Sequence, residues 1–127
     1  MRAALAMLVM LAITLLVGRS ASAQELYTGK FTQQTGEDLF RNICQGCHMP
    51  DAKGAIGAGA YPALASNPRL SVAVYPITVV LHGQRAMPPF GELLNDEQVA
   101  NVLNYVRGHF GNHFKDPITP EAVKARR

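Results

Sequence analysis

Cys44-Gln45-Gly46-Cys47-His48 is the stretch on which the reading of this chain turns. Two thiols one helical turn apart can add to the two vinyl groups on one edge of a porphyrin. The adjacent imidazole then lies beneath the iron and ligates it through Nε2. Other chemistries compete for the same residues. A thioredoxin-like redox pair needs strand–helix alternation, which this chain lacks. A zinc site needs four ligands, and His82, His109 and His113 include no pair spaced like Cys-x-x-Cys. A disulfide between residues three apart on a helix is geometrically poor. The chain has two cysteines, so none is left over. The spacing therefore predicts one covalently bound haem c, attached at Cys44 and Cys47, with His48 as an axial iron ligand.

The sixth iron position decides between a carrier and a reactive site. Beyond the N-terminal apolar run the methionines are Met49 and Met87. Met49 adjoins His48 and cannot reach the opposite haem face. Met87 sits in Met87-Pro88-Pro89-Phe90, where two prolines fix φ and stiffen the segment enough to hold a weak thioether ligand. Met87 as simple core filler is the structural alternative, and His82 is the alternative ligand, one that would lower the potential.

Around these residues the pattern is helical. Thr35 is an expected N-cap, with Glu37 and Asp38 in the first turn and Leu39, Phe40 and Ile43 on one face of a helix running into Cys44. Met49 to Tyr61 is Gly-rich and irregular. Leu70 to Leu81 is a second helical region, with Pro76 in a first-turn position and His82-Gly83 as its end. Asn95 and Gln98 form a capping box for a third helix, whose stripe is Val99, Val102, Leu103, Val106 and Phe110. Gly111 is the expected stop. No segment alternates convincingly as a strand.

The first residues have a different character. Met1-Arg2 is followed by an apolar run from Ala3 to Val17, then Ala21-Ser22-Ala23, the build of a cleavable secretory signal. At 15 residues the run is short for a membrane span. The expected division is a signal peptide at 1–23, an extended arm at 24–34, a haem domain at 35–112 and a polar tail at 113–127. Loss of Arg2 and Arg19 takes Lys+Arg from 12 to 10 against 9 acidic residues, so the formal charge falls from +3 to +1. No basic run is interleaved with aromatics, which excludes a nucleic-acid partner. A domain this small has difficulty burying enough apolar surface alone. A haem, large and mostly apolar, would fill its centre.

From Thr35 to Asn112 the chain resembles the mono-haem class I cytochromes c. The resemblance rests on the Cys44–His48 motif and on Gly36 and Phe40 of the first helix facing Val102 and Tyr105 of the last. It also implies that Pro62, in Ala60-Tyr61-Pro62-Ala63-Leu64, accepts the Nδ1–H of His48 on its carbonyl, and that Leu64 covers the proximal side. The runs Gly83–Phe90, Leu94–Gln98 and Asn104-Tyr105-Val106 are similar to small cytochrome subunits that accept electrons from periplasmic dehydrogenases. The lysine-rich face of mitochondrial-type cytochromes is missing, which argues against strong electrostatic steering.

The expectation is an all-α, cytochrome c-like fold of three main helices and loops around one haem. It would be a periplasmic electron carrier rather than an enzyme, with no membrane segment after signal cleavage. The resemblance implies a dehydrogenase as donor, as a free shuttle's partner or within one complex, and an oxidase or another cytochrome as acceptor. The alternative is a haem enzyme or ligand sensor with an open sixth position. Asn67 and Arg69 are candidates for a propionate or for a solvated turn. Arg85 is either a docking rim or plain surface, and His109 and His113 suit a helix C-terminus.

Overall fold

The computed structural model describes residues 30–57 and 59–127. The expected signal peptide and the first part of the arm lie outside them. Thr35 opens the fold as expected: its Oγ1 accepts the Asp38 N–H at 3.1 Å, with Glu37 and Asp38 in the first turn. The helix passes through α1 (Gly36–Leu39), a π-helical stretch (Phe40–Cys44) and α2 (Gln45–His48). The Gln45 N–H reaches back to Phe40 O, one residue further than an α-helical bond. The helix thus runs past the expected end at Cys44 and carries the whole motif.

A short hairpin of β1 (Ala55–Ile56) and β2 (Ala60–Tyr61) follows, with Ala55 paired to Tyr61. The second helical region divides in two. Asn67 caps a 3-10 turn at Pro68–Ser71, and α3 spans Val74–His82 with Pro76 in its first turn. Gly83, at φ 73°, ends α3. The third helix, α4 (Asp96–Gly108), has the full capping box: Asn95 Oδ1 accepts from Gln98 N at 2.8 Å and Gln98 Oε1 from Asn95 N at 2.9 Å. Gln98 does more, because its Nε2 also donates to Phe31 O and Gln33 O and pins the arm to the helix.

Val99, Val102, Leu103 and Val106 are buried along α4. The helix stops at Gly108, before the expected Gly111, and residues 110 and 111 turn through φ 56° and 78°. Phe110 therefore leaves the stripe and folds onto Phe40, centroid to centroid 4.8 Å, while Tyr105 approaches the same ring at 5.9 Å. Gly36 explains how α1 comes so close to α4. A Cβ there would collide with Asn101 O and would lie 2.6 Å from Tyr105 Cβ.

The C-terminal stretch differs most from expectation. Residues 113–127 are polar in composition, yet Ile118 and Val123 are buried in the core. Asn104 makes two 2.8 Å bonds to the backbone of Ile118, and Thr119 caps α5 (Pro120–Lys124). Two well-spaced apolar residues suffice to dock a short helix that has a capping residue and a proline at its first turn. The fold is all-α apart from the hairpin. No described helix is long and apolar enough to cross a membrane.

Candidate functional site

The π-helical stretch delivers Cys44 half-buried at its end, and α2 then presents Cys47 to solvent and buries His48. The two thiols are unpaired. Burial, and secondarily the charge a Cys47 thiolate would place nearby, pushes the Cys44 thiol up to about 12. Redox-active pairs need a thiol that ionises readily. Cys44 is the reverse, a neutral sulfur packed against the core.

His48 is 8% exposed, and its Nδ1 lies 2.9 Å from Pro62 O. A carbonyl can only accept, so Nδ1 carries a proton, and a neutral ring in this orientation has its lone pair on Nε2. Such an outer bond fixes the ring's orientation and raises its strength as a ligand. Three further contacts hold this carbonyl in place. Gly54 N donates to His48 O at 3.0 Å. At φ 69°, Gly54 presses its backbone onto the 61–62 peptide, where any Cβ would collide with Tyr61 O. Leu64 N and Ala65 N both donate to Ala52 O, at 2.7 and 2.9 Å. Leu64 itself is half-buried against the core.

Asn112 closes this side. It is 2% exposed, donates from Nδ2 to Leu64 O and Val106 O at 2.9 Å, and accepts from Asn67 N at 2.9 Å. Sequence reasoning passed over Asn112 and Gly54. The signal for Asn112 was an amide directly after the Phe110-Gly111 turn. For Gly54 it was the first Gly after the motif, six residues beyond His48 in the Gly-rich loop.

Met87 lies elsewhere in the chain but is just as constrained. Gln84 and Met87 exchange backbone bonds at 3.0 Å in both directions, closing a tight turn in which Arg85 has φ 56°. Phe90 N and Gly91 N then donate to Val80 O and Leu81 O, satisfying carbonyls in the last turn of α3 that have no helical partner. Met87 is half-buried, between exposed Ala86 and Pro88. His82, the alternative ligand, is exposed, and its Nε2 donates to Arg126 O at 2.9 Å.

The remaining candidates resolve as structure or surface. Asn67 Oδ1 accepts from Arg69 N and its Nδ2 donates to Ala63 O, so its side chain is committed to the turn. His109 stacks on Tyr105 at 4.2 Å and its Nδ1 donates to Tyr105 O. Arg85 and His113 are exposed. Arg107, not singled out in the sequence, is 1% exposed and ties Leu70 O, Ser71 O and Asp116 together.

The donor set fits a haem: two unpaired sulfurs at attachment spacing, then an imidazole with a free Nε2 held by a carbonyl. The family described as "Cytochrome C oxidase, cbb3-type, subunit III" matches residues 31–106. The chain belongs to the cytochrome c family. This cytochrome is 32% identical over 120 residues to a gluconate 2-dehydrogenase cytochrome c subunit of Pantoea cypripedii, covering 83% of the chain and 26% of that subunit. It is 33% identical over 105 residues to a fructose dehydrogenase cytochrome subunit of Gluconobacter japonicus, covering 70% and 21%. A cytochrome c6 of Diacronema lutheri is 35% identical over 81 residues, 60% of the chain and 94% of that protein. The cytochrome thus spans about a quarter of the dehydrogenase subunits and nearly all of the cytochrome c6 match. Its cofactor is covalently bound haem c, and the cytochrome c domain supports electron transfer.

Proposed function

We propose that this cytochrome is a one-electron carrier with its iron held by His48 Nε2 and Met87 Sδ, loaded by a periplasmic dehydrogenase and discharged to an oxidase or another cytochrome of the respiratory chain. Haem c, when bound, supplies the one-electron couple of its iron. The observation that carries the reading is the 2.9 Å approach of His48 Nδ1 to Pro62 O, which fixes the ring and leaves Nε2 as the nitrogen available to iron. A thioether is a weak ligand, and the bonds closing the Gln84–Met87 turn and tying Phe90 and Gly91 to α3 suit a segment that must hold one. The commitment of His82 Nε2 to Arg126 O favours Met87 over the imidazole.

Cys47 is exposed, and the nearby chain carries Ile56 at 94% exposure on its hairpin. An exposed aliphatic side chain of this kind suits a small transient interface. The dehydrogenase cytochrome subunits among the relatives support a dehydrogenase donor. The secretory character of residues 1–23 supports a periplasmic location.

The test is the spectrum of Met87→Leu holoprotein beside wild type. Wild type should carry the sulfur-to-ferric-iron band and resist carbon monoxide when reduced. Met87→Leu should lose the band and bind carbon monoxide. Carbon monoxide binding to the wild type would instead make this a haem enzyme or ligand sensor.

A further inference from the structure

Two adjacent residues at the C-terminus hold both flanks of the Met87 segment. Before it, His82 Nε2 donates to Arg126 O at 2.9 Å. After it, the Arg127 guanidinium donates from Nη1 to Gly91 O and from Nη2 to Leu94 O, the latter at 2.8 Å. Its Nε bonds Asp96 Oδ1 at 2.5 Å, in a half-buried ion pair at the first residue of α4. Gly91 is enclosed: a Cβ there would lie 2.9 Å from Leu81 O and 3.7 Å from Arg127 Nη1. The α5 helix that immediately precedes the two arginines is itself anchored by fully buried Val123 and the Thr119 cap. Arg127 thus reads three groups on the far flank while its neighbour's carbonyl reads the near one.

We infer that Arg127 is a positioning residue for Met87, closing a clasp that keeps the thioether on the iron; the inference rests on Met87 being the sixth ligand. The segment from His82 to Leu94 has a closed form, stapled at both ends, and an open form in which the sulfur leaves. Closing a loop costs entropy, which fixed ends have already met. Any contact present only in the closed form shifts the equilibrium toward it by its differential free energy. Arg127 spans the exit of the loop and the start of α4, so its three bonds belong to the closed form. A lysine could donate to one carbonyl but cannot fork across Gly91 O, Leu94 O and Asp96 together.

Imidazole, which competes with the thioether for ferric iron, reads this equilibrium in the holoprotein without any redox partner. Arg127→Ala and the milder Arg127→Gln should bind imidazole about tenfold more tightly than wild type, within the usual range of coupling between sites. Both should weaken the sulfur-to-ferric-iron band, and Arg127→Lys should recover part of each effect. Ala100→Gly, at a buried α4 position one turn beyond Asp96 that makes none of the clasp's bonds, provides a control that loses stability through helix propensity. If Arg127→Ala melts lower but keeps wild-type imidazole affinity and band, as the control should, Arg127 is only a structural clamp and the inference falls. If wild type lacks the band and Met87→Leu binds imidazole no better than wild type, the ligand assignment fails first and takes the clasp with it.

Discussion

The Cβ that Gly83 lacks would lie 2.6 Å from the carbonyl oxygen of Met87, and 2.9 Å from the nitrogen of Pro89. The residue that terminates α3 is therefore also the floor on which the Met87 turn rests. Its backbone, at φ 73° and ψ 168°, occupies a region that belongs almost wholly to glycine.

Gly83→Ala should accordingly cost about 2 kcal/mol or more, combining backbone strain with a displaced turn. Guanidinium unfolding of the holoprotein measures the loss. The sulfur-to-ferric-iron band should weaken in parallel, because the shift falls on Met87 O. An unchanged unfolding midpoint would mean that the turn can move away freely.

Met49 presents the opposite case. Directly after His48 it adopts φ 66° and ψ 157°, the same glycine-favouring region, but with a side chain. Met49→Gly should relieve strain of order 1–3 kcal/mol, partly offset by the freer unfolded chain. The expected result is a net stabilisation of roughly 1 kcal/mol, read by the same unfolding experiment. A lower midpoint would show that the half-buried Met49 side chain contributes more than its backbone costs.

Asn112→Leu removes both donors and the acceptor of a nearly inaccessible amide, leaving Leu64 O, Val106 O and Asn67 N short of a partner. Each buried orphan costs about 1–3 kcal/mol, so a loss of about 3 kcal/mol is expected. Hydrogen exchange should localise the change. The amides near Leu64 and the 3-10 turn should lose protection before those of α3.

The Arg107–Asp116 pair predicts a pH dependence. The Arg107 Nη2 bond at 2.7 Å, and then its own backbone N–H, hold the Asp116 carboxyl below the usual carboxylate range. A carboxyl whose folded value is depressed stabilises the fold above its unfolded value near ~3.9, and that contribution disappears as pH falls through the folded value. Melting curves of wild type and Asp116→Asn should therefore lie apart at neutral pH, wild type higher, and converge in acid. The gap should be modest and shrink with salt, since the carboxylate is exposed. Curves that diverge in acid would contradict the sign.

Much of this could be read from local patterns. Thr35, Asn95 and Gln98 cap the helices expected of them because capping is a matter of neighbouring residues. The α4 stripe is legible for the same reason, up to Val106. Phe110 fits the periodicity but leaves the helix, since a positive-φ turn at residues 110 and 111 brings its ring to Phe40 instead. Residues 113–127 look like a tail because only a few apolar residues there, Phe114, Ile118 and Val123, meet the core, and so few give no sustained periodic signal. The π-helical bond to Phe40 O likewise has no local mark, since it arises where the helix must both pack on α4 and present two thiols.

What the order of residues alone determined was the chemistry: a pair of thiols and an imidazole at one spacing, with one methionine downstream ahead of two prolines. These depend on covalent reach and on short-range backbone preference, both carried by adjacent residues. Only the tertiary structure decided which carbonyl meets His48, that Asn112 secures Leu64, and that Arg126 and Arg127 return to grip the ends of the Met87 segment. Those are partnerships across 14, 48 and 31 to 44 positions, and a hydrogen bond at such separation exists only once packing has set the distance.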